Sequence, residues 1–209
     1  MIMFEKTVKQ LLQGEFICAY KYPDCYQYLQ ASEHTEKVDN FLKQLNYHLA
    51  HTPQKSAFYA GYQTIDNAAR NDIRRGFQNF RSELQPIVDW LALMMDVLHS
   101  DKAIMTGDSL SFAQLLQVME QNASLADRLQ SFAKLKSFSS NDSTLKSRLE
   151  KLLKTLEDWG YLVLISPDTL VYQVTGKLDY FYQALEFIQE HEGVAKEQAD
   201  QETAQVSLF

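Results

Sequence analysis

Apolar residues recur along this chain at two spacings, and one stretch shows both in succession. Leu145, Leu149, Leu152, Leu153, Leu156 and Trp159 fall at the spacing of one helical face. The pattern predicts a helix over Ser143–Trp159. Asn141, Asp142 and Ser143 offer side-chain oxygens to the unpaired N–H groups of its first turn. Gly160 can take the left-handed conformation that ends a helix cheaply. Beyond it, two runs rich in β-branched and aromatic residues, Tyr161–Ile165 and Leu170–Thr175, flank Ser166-Pro-Asp, which predicts a two-stranded hairpin.

The remaining chain reads mostly helical. Short helices are expected over residues 2–13 and 24–31, the second started by Pro23. A helix over Thr35–Tyr47 places Val38, Phe41, Leu42 and Leu45 on one face. A strand at Leu49, a Pro-containing turn, and an aromatic strand over Ala57–Tyr62 follow. The two halves echo each other: Phe41-Leu-Lys-Gln-Leu45 resembles Leu152-Leu-Lys-Thr-Leu156, and Phe58-Tyr59 takes the place of Val171-Tyr172.

Between the halves, Ile73, Phe77, Phe80, Leu84, Ile87, Leu91, Met94 and Leu98 alternate steps of four and three, a seam of heptad type. Pro86 removes a backbone donor and clashes one turn back, so two helices or a kink near Glu83–Gln85 are expected within 66–99. The first piece would connect the modules or pair with a second copy, with Ile73, Phe77 and Phe80 in the self-interface. Further helices are expected from Thr106 to Asn122, from Ser124 to Lys136, and along Leu178, Phe181, Leu185 and Ile188 to about His191.

A helix running straight into a two-stranded wing is the back half of a winged-helix module. The expected fold is therefore mainly α with small β-hairpin wings: tandem winged-helix domains joined by a long helical connector. The divisions are 1–64 (first winged helix), 65–85 (connecting or dimerisation helix), 86–192 (second winged helix) and 193–209 (a flexible acidic tail ending in apolar residues). From Val194 onward the composition is Lys, Glu, Gln, Asp and Ala, which buries too little apolar area to offset ordering entropy.

Charge narrows the functional classes. At 209 residues and a formal charge of −7, a uniformly cationic nucleic-acid coat is excluded, while a local basic face on an acidic body is allowed. Cys18 and Cys25 match no metal spacing and read as small buried thiols. The start carries no signal-peptide pattern, and the longest apolar window, Ile87–Leu98, is broken by Asp89 and Asp96; a cytoplasmic location with no membrane contact is expected. Gly176-Lys177 lacks the rest of a phosphate loop. His34, His48, His51, His99 and His191 are scattered; His48 and His51 could share a helix face but have no nearby carboxylate or thiolate. No catalytic, cofactor or metal set emerges.

Basic residues do cluster. Lys134, Lys136, Lys146, Arg148, Lys151 and Lys154 face only Asp142 and Glu150 within their window, and Arg70, Arg74 and Arg81 share a stripe on the connecting helix with Arg75 beside it. Such faces are either the solvated side of an amphipathic helix or phosphate contacts for double-stranded DNA, without base-specific readout. The aromatics Phe58, Tyr59, Tyr62, Tyr161 and Tyr172 fit core packing better than base stacking.

The order of wing (Ser56-Ala-Phe-Tyr-Ala-Gly), connecting helices, then Ser147-Arg-Leu-Glu-Lys-Leu-Leu-Lys-Thr-Leu-Glu-Asp-Trp-Gly-Tyr-Leu-Val-Leu with Leu170-Val-Tyr-Gln-Val-Thr resembles the E subunits of bacterial condensins. These are the MukE and MksE proteins, kleisin-interacting tandem winged-helix elements, with MksE the closer likeness over about residues 10–190. The resemblance implies a non-catalytic, homodimeric subunit that binds an F-type kleisin and, through it, a B-type SMC ATPase. The complex would engage DNA at the nucleoid in chromosome organisation or plasmid defence. A stand-alone dimeric winged-helix transcription regulator, with Ser143–Trp159 in a major groove, is the alternative. Finally, Gln205-Val-Ser-Leu-Phe209 looks like the peptide by which bacterial proteins dock on the replicative sliding clamp, with Gln205, Leu208 and Phe209 as its anchors.

Overall fold

The computed structural model describes residues 2–99, 101–139 and 144–190, with the side chain of Lys136 also left out. Two units follow one plan: helix, short strand, two or more helices, hairpin. The first comprises α1 (Met3–Leu12), β1 (Ile17–Cys18), α2 (Pro23–Tyr28), α3 (Ser32–Lys43), β2 (Tyr47–His51) and β3 (Ala57–Tyr62). The second follows α4 (Asn67–Val97) with β4 (Ser109–Ser111), α5 (Phe112–Glu120), α6 (Ala123–Phe132) and a 3-10 turn at Lys136–Phe138. It ends in α7 (Leu145–Asp158), β5 (Leu162–Ser166), β6 (Val171–Val174) and a helix α8 over 177–190.

Each wing has three strands where the sequence pattern predicts two. The orders are β1-β3-β2 and β4-β6-β5, all antiparallel, so a short strand from ahead of the helices closes each hairpin's inner edge. Residues Ser109–Ser111, expected as the start of a helix, are that strand in the second unit. Gly107 at φ 95° and the Asp108 carboxylate, accepting from the Met105 amide at 2.8 Å, form a turn before it. The alternating Ser-Leu-Ser then buries Leu110 while both serines face outward, and the helix begins at Phe112. The ladder also shifts the internal echo by one residue. Phe58 pairs with buried Ile17 and Tyr172 with buried Leu110, so Phe58 rather than Tyr59 corresponds to Tyr172.

Pro86 does not divide the connecting region into two helices. α4 runs from Asn67 to Val97 through it, opened by Asp66, whose carboxylate accepts from the Ala69 amide at 2.8 Å. An interior proline costs about 3 kcal/mol. Downstream, Ile87, Trp90, Leu93, Met94 and Val97 are all buried, each contributing roughly 1.5–3 kcal/mol. Burial outweighs the break.

Among the described residues, buried apolar side chains gather in two cores. One gathers Val8, Leu11, Ile17, Cys25, Leu29, Val38, Leu42 and Phe58. The other surrounds α7, whose Leu149, Leu152, Leu153 and Leu156 are fully buried against α5 and α6, on which the C-terminal half of α4 packs in turn. The cap of α7 is Thr144, accepting from the Ser147 amide at 3.2 Å; Asn141, Asp142 and Ser143 lie outside the described residues. Gly160 ends the helix at φ 83° as expected. Both cysteines are free, buried thiols.

The units are docked at the start of α8. A Cβ placed on Gly176 would come within 2.6 Å of the Ala57 methyl and 2.8 Å of the Ser56 carbonyl, so only glycine fits between them. Beside it, the Ser56 hydroxyl donates to the Asp179 carboxylate. Phe16, Tyr59 and Tyr180 form a three-ring cluster across the junction, with centroids 5.0–5.1 Å apart.

Candidate functional site

The same junction opens into an apolar groove of about 740 Å³. Three elements line it: β3 through Tyr59 and Tyr62, α4 through Ile73 and Phe77, and α8 through Phe187 and Ile188. Local sequence explains why these side chains face outward. The heptad-type seam outlasts the core it serves: from Ile87 on it enters the second unit's interior, but its first turns reach beyond that interior. Ile73 is therefore 41% exposed and Phe77 56%, with Ile65 at 63% and Phe187 at 59% around them. Contiguous exposed apolar surface of this kind marks an interaction site more often than a solvated face.

Of the three residues expected at a self-interface, Ile73 and Phe77 thus line the groove. Phe80, at the groove's inner end, packs on Phe181 with centroids 5.5 Å apart. One wall is held by a polar chain: the Tyr47 hydroxyl donates to that of Tyr62 at 3.2 Å, and Tyr62 donates to Asp72 at 2.8 Å. Its neighbour Tyr47, burial and Asp72 together hold the Tyr62 phenol well above its ordinary value. Asp72 is held below the usual carboxylate range by Arg75 and then by Tyr62. Burial raises the Tyr59 and Tyr180 phenols above their ordinary value.

Cationic side chains border this surface. Arg70, Arg74 and Arg81 are all exposed. At 100° per residue they fall within an arc of about 40° on α4, with Phe77 about 20° beyond its edge. The sequence grouped the arginines and the apolar seam separately; on the helix the two stripes run side by side.

The second basic cluster is less uniform than its sequence window suggests. Lys154 reaches Glu157 at 2.9 Å and Asp158 at 3.1 Å, two acids just past the window's end, and these hold its ammonium above the usual value. Lys146 lies 4.0 Å from Glu150. Arg148 and Lys151 are half-buried on the same helix, and Lys134 is exposed at the end of α6. Lys136 begins the 3-10 turn.

The wing aromatics divide between the cores and the groove. Phe58, Tyr161 and Tyr172 are buried, Tyr59 joins the junction cluster, and Tyr62 leans on Tyr47 at 4.7 Å. His48 and His51 lie on strand β2, not on a helix, because the α3 face ends at Lys43. His51 Nδ1 is 2.8 Å from the Thr52 carbonyl. Gln205, Leu208 and Phe209 lie outside the described residues.

Residues the pattern did not single out complete the junction. Lys177 is largely buried, with Nζ donating to the Trp159 carbonyl at 2.6 Å, lying 3.5 Å from Glu83 and 4.4 Å from the Tyr161 ring centre. Burial pushes its ammonium down, against the opposing pull of Glu83. The adjacency of Gly176 and Lys177 in the chain was the only available signal, and it resembled a phosphate-loop fragment instead.

Two similar helix-and-wing units, a solvent-open apolar groove and an arginine stripe beside it on α4 describe a mainly helical protein with a prominent exposed apolar surface. The chain belongs to the MksE family of condensin complex proteins: the family model matches residues 3–186. It is a condensin complex subunit, as the resemblance over residues 10–190 implied. Among curated proteins none matches it.

Proposed function

We propose that this subunit is a non-catalytic accessory of an SMC-type condensin, built from two tandem winged-helix domains on the α4 connector. It holds an F-type kleisin and, through it, the B-type SMC ATPase. It acts as a homodimer at the nucleoid, in chromosome organisation or plasmid defence. The observation that carries this reading is the groove, in which Ile73 and Phe77 stand exposed in a family of complex-forming proteins. An apolar cleft with an aromatic base fits a partner segment that inserts side-chain anchors.

Double-stranded DNA would be met on the stripe of Arg70, Arg74 and Arg81 and on Lys134, Lys136, Lys146, Arg148, Lys151 and Lys154, through phosphates and without base readout. Condensin membership weighs against a stand-alone transcription regulator. The clamp-type peptide at Gln205, Leu208 and Phe209 is a separate proposal; deletion of Gln205–Phe209 should abolish capture of the sliding clamp.

The test is co-expression with an F-type kleisin from the same source. Phe77→Asp should abolish co-purification while leaving the thermal melt of the isolated subunit unchanged. Undiminished co-purification would remove the groove from the partner interface. A monomer by light scattering would remove the homodimer.

A further inference from the structure

The groove has a candidate occupant within the chain itself. α8 supplies Phe187 and Ile188 to the groove lining, so the chain leaves its last described turn from the groove's own wall. Beyond it, residues 191–205 carry Glu192, Glu197, Asp200 and Glu202 against the single Lys196, and the next four are Val206-Ser-Leu-Phe209. An acidic connector followed by apolar anchors matches a groove with an apolar lining beside which the exposed Arg70, Arg74 and Arg81 run along α4, next to Phe77 on the helix. The reach is sufficient. Fifteen residues of coil would have a root-mean-square span on the order of 20 Å, whereas Ile73 to Phe80 covers about 10 Å of helix axis.

We infer that Val206–Phe209 docks in this groove of the same chain, with Leu208 and Phe209 as anchors and the acidic connector along the arginine stripe. Tethering supplies an effective concentration in the millimolar range, so even a weak peptide occupies the groove. The tail is then a resident that a partner segment must displace. This rests on the reading of the groove as a docking surface, and it sets when that surface is available.

The test uses the full-length chain with Gly76→Cys and Ser207→Cys. Gly76 lines the groove with open space around it, and the native Cys18 and Cys25 are buried and do not compete. Mild oxidation should close an intramolecular disulfide at least about tenfold faster than in the control pair Gln121→Cys with Ser207→Cys, as tethered docking requires. Adding Leu208→Ser and Phe209→Ser should bring the rate down to that of the control. Equal rates in the two pairs, or a disulfide only between copies, would overturn the inference. If cross-linking fails while Phe77→Asp still blocks kleisin capture, the tail is wrong and the groove stands. If cross-linking succeeds while Phe77→Asp leaves capture intact, the tail stands and the partner interface lies elsewhere.

Discussion

The Tyr161 hydroxyl donates a 3.0 Å hydrogen bond to the carboxylate of Glu83, a residue on α4 far earlier in the chain. The same carboxylate oxygen faces the Lys177 ammonium at 3.5 Å. One acid thus ties the middle of the connecting helix to the end of α7 and the start of α8. All three partners are largely withdrawn from water, so the carboxylate and the phenol satisfy each other, while Lys177 also donates to the Trp159 carbonyl.

Tyr161→Phe should lower stability by about 1–2 kcal/mol, because it leaves a mostly buried carboxylate short of one donor. Thermal melting should fall by roughly 2–4 °C for each kcal/mol in a chain of this size. Glu83→Leu should cost more, on the order of 3 kcal/mol, because the Lys177 ammonium then stays buried without its counter-charge. A melt of Glu83→Leu equal to that of Tyr161→Phe would show that the ion pair adds nothing.

Alkaline pH should act through the same phenol. Burial first, and then Glu83, pushes Tyr161 far above its ordinary value. The unfolded chain releases that proton near pH 10 while the folded chain retains it. The contribution is therefore full below about pH 10 and falls as pH rises above it. Urea melts at pH 8 and pH 11 should show about 1 kcal/mol less loss in Tyr161→Phe than in the parent. Lys177 has the opposite sign: its folded value is depressed, so its term rises with pH until the unfolded ammonium also titrates.

Gly176→Ala tests the docking of the two units. The added methyl would meet Ala57 and the Ser56 carbonyl, and a backbone atom cannot swing aside as a flexible side chain can. A loss of about 1–3 kcal/mol is expected, typical of overpacking. Adding Ala57→Gly should restore only part of it, since the Ser56 carbonyl stays in place. Full restoration would mean that the backbone contact is unimportant.

Salt dependence separates the basic faces. Reversing Arg70, Arg74 and Arg81 together should flatten the slope of log affinity against log salt by about 0.9 for each phosphate that is no longer neutralised. Lys154→Glu alone should change it less than Lys151→Glu does, because Glu157 and Asp158 already offset the Lys154 charge. Equal effects from the two lysines would show that these short-range pairs open on DNA.

Much of the architecture was legible from the chain alone because it depends on local rules. The leucine spacing of α7, the left-handed stop at Gly160 and the hairpin around Pro167 each follow from periodicity or backbone freedom within a few residues. The family likeness, carried by the order of those elements, was legible for the same reason. What local rules misjudged was settled by distant partners. The third strand of each sheet needs a ladder from β3 or β6. Pro86 stays in a helix because the core beyond it offsets the broken turn.

The candidate site divides in the same way. Sequence alone determined that Ile73, Phe77 and the arginines share one helix, because helical geometry fixes which residues neighbour each other along an element. Only the tertiary structure decided that the seam leaves the core before Ile87, so that its first turns face a groove also lined by β3 and α8. Only it assigned Gly176 and Lys177 to the junction, since close approach to Ala57 and charge burial against Glu83 depend on elements far apart in the chain.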